Sequence, residues 1–530
     1  MAEFNCRIKP YIQPFERCLA LSELRAVAGA EPIPTEVLEG EPTTFKVITN
    51  KSRKSLCAEL AYWESVGSKT TMKTRQIRSE ATSLVARNGV ALRDLPNLAP
   101  SLLEAKSPNK RCLRYATHGI HEYRGKFFPQ LVRAMINMAE VPRDGIVLDP
   151  MCGSGTTLVE AVLAGRAAIG LDMNPLSVFI SDVKCQVLRC SADKLVAAHD
   201  RLAEHVSSNQ VAGNSYFSTL SEHDQSYLRS WFDPNVLDEL DRIVAGLEQV
   251  RPKAIRQFYT LSLSNILRRV SLQKVADLRV RKEKKKLKEG DATKAFLDEI
   301  MRVTKLVTAH NAFRGQDGLG MHTVRDSDAK EAAESLEKYI GGIDAVITSP
   351  PYATALPYLD TDRLSLIYLG LLARKQHRHR DVSMIGNREV TSRQREEYWA
   401  HFEAHKDRLP KSTRLLIEQI DQLNRNADVG FRRKNTSALL SKYFFDMQRV
   451  LKAQKSLLRD SGTIFMVVGN NRTTAGGKDI EIRTTDQLAA IGEELGLTLA
   501  GRLSMDMLIS RDIFRQNAMP SEEILTFQKV

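Results

Sequence analysis

Asp149-Pro150-Met151-Cys152-Gly153-Ser154-Gly155-Thr156-Thr157 is the stretch on which the fold turns. It follows the short apolar strand GIVLDP and opens the helix TTLVEAVLAG, which Gly165 stops; AAIGLDM then reads as a second strand. Upstream, PQLVRAMINMA has the spacing of a helix. Strand, glycine turn, helix and strand make a βαβ unit of a parallel sheet. The two glycines let the backbone approach a ligand closely, and the helix start offers unpaired N–H groups. No Gly-Lys-Ser/Thr follows, so the turn is not a P-loop, and it lacks the third glycine of the dinucleotide fingerprint. The second strand ends in Asp172, 17 residues after Gly155. An acid there is placed to accept hydrogen bonds from two ribose hydroxyls; the plainer alternative is a loop cap leading into Asn174-Pro175.

A second turn carries chemistry. DAVITSPPY (344–352) is an apolar strand ending in Ser349-Pro350-Pro351-Tyr352. Two prolines remove two N–H donors and stiffen the chain, which aims the Pro350 carbonyl outward beside the Ser349 hydroxyl and the Tyr352 ring. Alone, this is a strand-terminating turn with a core tyrosine. Paired with the glycine turn, at the carboxyl ends where α/β sheets bind ligands, it becomes a candidate site. A hydroxyl, a carbonyl oxygen and an aromatic face suit an exocyclic amine on a nucleobase. The acceptors hold its N–H bonds out of the ring plane, freeing the nitrogen lone pair, while the ring stacks the base.

The rest of the composition bounds the setting. The chain has 530 residues, with 77 Lys and Arg against 64 Asp and Glu, a net charge of +13. At ~150 residues per domain this is three or four domains' worth of structure. Hydrophobic residues make up 42% and charged ones 27%, which argues against wholesale disorder. No apolar run approaches the ~20 residues of a membrane span, and the start, MAEFNCRIKPYIQPFE, lacks the apolar region of a secretory signal. Seven cysteines without a C-x-x-C pair exclude a disulfide scaffold and a zinc ribbon. The expectation is a reduced, cytoplasmic, nucleoid-associated protein with a polyanionic partner.

Charge concentrates in 251–290, where 13 Lys and Arg face three acids. Arg268, Arg269, Lys284, Lys285 and Lys286 lie in this run, near Tyr259 and apolar residues at helical spacing, and they read as phosphate contacts. Residues 1–110 read as an extension with no visible chemistry. Residues 193–320 read as a helical basic insertion, and 371–440 as a second polar and basic segment. His377 and His379 lack Cys or acid partners at ligand spacing, so no metal is assigned. GTIFMVVGN (462–470) is an apolar strand, and two closing strands follow.

Taken in order, these motifs resemble the amino-methyltransferases of DNA, which methylate cytosine N4 or adenine N6 with S-adenosylmethionine. DPMCGSGTT is similar to their D-P-F-x-G-S-G-T-T cofactor loop, with Met151 in place of the usual phenylalanine, and TSPPY to their catalytic (D/N/S)-P-P-(Y/F/W). HGIHEYRGKFFPQL, with His121, Lys126, Phe127 and Pro129, resembles the lead-in that folds over the methionine end of the cofactor. Asp328 stands where the family often has an acid near the adenine, and KYFFDMQRVL and GTIFMVVGNN resemble its later helix and strand. The resemblance covers about 220 residues: roughly 111–192, 321–370 and 441–530. The helical insertion sets the two turns unusually far apart.

The resemblance implies an α/β fold with a Rossmann-like methyltransferase sheet, mostly parallel and closed by an antiparallel hairpin. It implies a cofactor site of His121, Lys126, Phe127, Pro129, Asp149, Pro150, Met151, Gly153, Ser154, Gly155, Asp172, Asn174 and Asp328. The catalytic turn is Ser349 to Tyr352, and serine in its first position is associated more with cytosine N4. Neither Cys152 nor Cys185 stands in the Pro-Cys context of carbon-5 chemistry, which is rejected. The substrate is then double-stranded DNA with its target base flipped out. The helical insertion, or Arg378, Arg380, Arg388, Arg432 and Arg433 of segment 371–440, would contact DNA. Adenine N6, an RNA amine and an inactive DNA-binding subunit are the alternatives. A restriction or defence partner would be a separate chain, since no nuclease motif is visible.

Overall fold

The computed structural model describes residues 1–35, 41–98, 108–123, 125, 127–208, 215–274, 281–283, 285–353, 358–388, 390–425, 427–506 and 518–529. Lys126 and Lys284 therefore lie outside the described residues.

The first strands build a small antiparallel sheet: β1 (Ala2–Ile8), β2 (Ile33–Pro34), β3 (Thr44–Thr49), β4 (Trp63–Gly67) and β5 (Thr71–Lys73), in the order β2-β3-β1-β4-β5. β3 alternates as a half-buried strand should, turning Phe45, Val47 and Thr49 inward. Trp63 meets Phe45 edge-on at 5.9 Å and is fully buried. The stretch read as an extension is thus a folded sheet whose buried residues join those of the larger unit in one continuous core, Cys6 and Trp63 with Leu131 and Val159. Its helix Pro14–Ala28 packs on helix Pro129–Met138 of the larger unit. Two buried carboxylates fasten that joint. Glu23 accepts from Asn137 Nδ2 at 2.7 Å and from the Ala61 N–H at 2.8 Å, and burial pushes it up to about 7. Glu80 accepts from Lys9 Nζ at 2.7 Å and Gln130 Nε2 at 3.0 Å.

The larger sheet holds β6 (Ile146–Asp149), β7 (Ala167–Asp172), β8 (His322–Asp326), β9 (Ile343–Thr348), β10 (Leu458–Ala475), β11 (Lys478–Ile482), β12 (Thr498–Asp506) and β13 (Ala518–Gln528). Its order is β12-β13-β10-β9-β6-β7-β8, with β11 paired only to β10. From β8 to β10 all neighbours are parallel, while β13 runs antiparallel to both β10 and β12. This is the mostly parallel sheet with a closing hairpin that the motifs imply. Every residue of β9 is buried, as a central parallel strand requires. The chain leaves β6 towards β7 and β8, then crosses back to β9 and β10. The order therefore reverses between β6 and β9, and a crevice opens there at the strand carboxyl ends.

The insertion between β7 and β8 is helical as read. Helices Ala192–Ser207, Pro234–Glu248, Lys253–Leu267 and Asp291–Arg314 share a core with Leu240, Phe258 and Phe296. Tyr259 belongs to that core, its hydroxyl 3.2 Å from the Leu195 carbonyl, so it does not flank a phosphate site. Part of the basic run is spent internally. The Arg269 guanidinium donates to the Ala295 carbonyl at 2.8 Å, Lys285 Nζ donates to the Arg269 carbonyl at 2.5 Å, and Lys282 lies over Trp231. Arg268 is partly buried and leans towards the Lys274 carbonyl at 3.4 Å, leaving Lys286 exposed. Segment 371–440 is mostly helical, over His377–Ser383, Ser392–His405 and Lys411–Arg425. There Arg380 pairs with Asp326 at the end of β8. No helix among the described residues is long and apolar enough to cross a membrane.

Glu80→Ala would strand the Lys9 ammonium in the joint, and breaking a buried pair costs about 3–5 kcal/mol. Urea unfolding should show that loss, and Lys9→Met with Glu80→Gln, which keeps an acceptor for Gln130, should recover most of it.

Candidate active site

The glycine turn leaves β6 at Asp149. Gly153 and Gly155 have φ of 50° and 74°, the left-handed region that glycine enters without strain. Space is tight at both: a Cβ on Gly153 would lie 3.0 Å from the Tyr123 ring, and one on Gly155 would collide with Ser181 at 2.8 Å. Across the crevice floor the turn is tied to β7. The Gly153 N–H donates to Asp172 Oδ2 and the Asn174 N–H to Asp172 Oδ1, both at 2.8 Å. Asp172 is thus a loop cap, and it also lines the cavity with lone pairs left for a ligand. On the other side the Thr348 hydroxyl donates to Asp149 Oδ1 at 2.9 Å, tying β9 to β6. Burial raises both carboxyls, Asp149 to about 7 and Asp172 to about 6, against the donors that hold them ionised.

Over these tips lies a cavity of about 370 Å³. Its lining brings together Phe127, Asp149, Pro150, Met151, Gly153, Ser154, Asp172, Asn174, Asp328, Ser349, Pro350, Pro351 and Tyr352. Asn174 caps the following helix by accepting from the Leu176 N–H at 3.1 Å and donates to Asp362 at 2.8 Å. Asp328 accepts from the Lys330 N–H at 3.0 Å and pairs with its ammonium at 2.9 Å. Three expected residues stand off the lining. His121 is buried with Nε2 3.2 Å from Ser264 Oγ, on the helical insertion. Pro129 opens helix Pro129–Met138 at its first position, and Gly155 caps helix Thr156–Leu163 behind the turn. Sequence reasoning missed Tyr123, Phe128, Leu131, Met384, Ile385 and Glu522, all of which line the cavity. Only Tyr123 and Phe128 carried a signal, being aromatics inside the HGIHEYRGKFFPQL lead-in.

Tyr352 has a built seat. Its hydroxyl donates to the Glu522 carboxylate, and a Cβ on Gly469 would come within 3.1 Å of its ring. Gly469 on β10 and Glu522 on β13 are cross-strand partners. One rung of the antiparallel pair therefore supplies both the bare backbone against the ring and the acceptor for its hydroxyl. Burial raises the Glu522 carboxyl, and the Tyr352 donor works against that rise.

Residues 121–216 match the family described as UPF0020: RMKL-like, methyltransferase domain. The chain is 27% identical over 268 residues to the Type II methyltransferase M.MvaI of Kocuria varians, covering 48% of this chain and 58% of that protein. It is 24% identical over 340 residues to the Type II methyltransferase M.MjaII of Methanocaldococcus jannaschii, covering 49% of this chain and 63% of the other. A 50-residue stretch is 50% identical to the tRNA (guanine(10)-N2)-dimethyltransferase of the same organism, 9% of this chain and 14% of that one. The chain thus spans about three fifths of the length of the two Type II enzymes.

Gly469→Ala should push the Tyr352 ring and cost about 1–3 kcal/mol, the usual range for overpacking. In a double-mutant cycle of unfolding free energies, Tyr352→Ala should remove most of that cost. Additive losses would place the strain elsewhere.

Proposed function

We propose, from the premise that the chain belongs to the S-adenosylmethionine-dependent DNA methyltransferase family, that it methylates the exocyclic N4 amine of a cytosine flipped out of double-stranded DNA. The observation that carries this reading is the convergence of both turns on one cavity where the strand order reverses. The residues present fit the cofactor. Asp172 offers acceptors to ribose hydroxyls and Asp328 an acceptor for the adenine amine. Phe127, Phe128 and Leu131 give an apolar wall, and Gly153 brings bare backbone to the lining. S-adenosylmethionine, when bound, supplies a methyl group on an electrophilic sulfonium.

The chain's own residues do the rest. The Ser349 hydroxyl and the Pro350 carbonyl accept the two amine N–H bonds, which localises the nitrogen lone pair out of the ring plane. Tyr352, held on Gly469 and Glu522, presents the face on which the base stacks. Holding the reacting atoms in line can supply ~7–11 kcal/mol of the barrier. Serine at the head of the turn favours cytosine N4 over adenine N6 through the resemblance stated above. A restriction or defence partner is, on this reading, a separate chain.

Methyl transfer from labelled S-adenosylmethionine to unmethylated bacterial DNA, followed by nucleoside mass spectrometry, tests the reading. N4-methylcytosine is expected. N6-methyladenine would change the base and keep the roles, while label found only in tRNA would replace the polymer. Ser349→Ala should cut turnover roughly ten- to a hundredfold, the worth of a hydrogen bond that sharpens at the reacting atom, and leave cofactor affinity nearly intact.

The pH dependence has a definite sign. Asp172 titrates at about 6, raised from 3.8, so its carboxylate form dominates above pH 6 and is lost below it. Cofactor affinity, measured by calorimetry, should therefore weaken as pH falls from 7 to 5. Asp172→Asn should weaken binding at pH 7 and flatten the profile.

A further inference from the structure

Segment Asp381–Arg388 is a wall with two sides. Met384 and Ile385 line the candidate active site, while Asp381, Val382 and Arg388 line a second cavity of about 440 Å³. Helix Tyr358–Tyr368, the next element along the chain after the Ser349–Tyr352 turn, contributes Leu359, Asp360 and Arg363 to that second cavity.

Its charge is lopsided. Arg363, Arg374, Arg378, Arg388 and Arg432 converge on it, against the carboxylates of Asp360 and Asp381. Asp360 is engaged by Arg363, and Arg374 lies over the Tyr227 ring at 5.1 Å. Arg378 and Arg432 are exposed at the cleft. Behind them His377 is 4% exposed and rests against the Leu372 backbone, with no well-formed hydrogen bond at either ring nitrogen. Burial and the Arg363 charge hold its pKa down to about 4, so the imidazole is neutral and the cleft's positive charge is all arginine. Half-exposed Phe431 stands at the rim.

A concave surface that gathers one sign of charge focuses potential on whatever enters it. Guanidinium forks match phosphate oxygens in pairs, and several of them converging give affinity without reading sequence. The methyl-transfer chemistry uses none of these arginines, yet they share a wall with its cavity. We propose that this cleft seats the phosphodiester backbone of the DNA strand whose base enters the catalytic cavity. The inference rests on the DNA reading above, and of the two basic segments expected to contact DNA it assigns the phosphate role to 371–440, joined at the cleft by Arg363.

The test is duplex binding by fluorescence anisotropy across a salt series, for the full chain and its Arg378→Gln/Arg432→Gln variant. Losing two phosphate contacts should flatten the slope of log affinity against log salt by about two. Affinity should fall alike for unrelated sequences, with calorimetric cofactor affinity and thermal melting unchanged. Arg378→Lys/Arg432→Lys should restore the slope. An unchanged slope, with the parent chain binding DNA, would overturn the cleft assignment and leave the DNA reading standing. A loss confined to one sequence would make these arginines base readers and overturn it too. A parent chain that binds no duplex would overturn both.

Discussion

The hydrogen bonds that the Asp172 carboxylate accepts from the Gly153 and Asn174 N–H groups hold the crevice in shape. They lock the tip of β7 to the turn leaving β6, and the Thr348–Asp149 bond does the same between β9 and β6. Three strand tips from distant parts of the chain are thereby set at fixed separations. The cost shows in the carboxyls themselves. Burial outweighs several donors and leaves Asp149 and Asp172 two to three pH units above ordinary aspartates. Carboxylates so desolvated gain from any further hydrogen-bond donor, and a ligand with two adjacent hydroxyls brings donors of that kind.

Around this lock the remaining parts divide the labour. The antiparallel pair β10–β13 supplies the seat of Tyr352, so the aromatic face is set by sheet register and not by a loop. The helical insertion leaves from β7 and returns to β8 without disturbing the parallel ladder, because its helices bury their apolar faces against one another and against helices Pro175–Val187 and Tyr358–Tyr368. Segment 381–388 separates a cavity lined by aromatics, methionine and acids from one lined by arginines.

What could be read in the sequence follows from how local each feature is. The run from Asp149 to Thr157 and the turn from Ser349 to Tyr352 each declare themselves within nine residues, since strand, glycine or proline turn and helix start are contiguous. Asp172 was legible through its fixed distance from the turn. Glu522 was not, because only the pairing of β13 with β10 brings it under Tyr352. Met384 and Ile385 were hidden in the same way, and while Arg378, Arg388 and Arg432 could be read as DNA contacts, their convergence with Arg363 and Arg374 on one cleft could not. His121 shows the opposite failure: it lies in a readable motif, but its ring turns towards Ser264. The first sheet escaped notice because its strands are short, down to two residues in β2 and three in β5, and because exposed Ile48 puts an apolar residue on the outward face of β3. The charge run at 251–290 looked like one binding face, whereas Arg269 and Lys285 bond to backbone carbonyls.

Helix Pro129–Met138 has one end in each unit. Phe128 at its start faces the cavity, and Asn137 near its end is gripped by Glu23 and by the Glu59 carbonyl of the first unit. Ten helical residues span about 15 Å and bend little. The helix is therefore a strut of fixed length between the two. The first sheet, with its helices, is thus part of the frame that sets where Phe128 stands in the cavity wall.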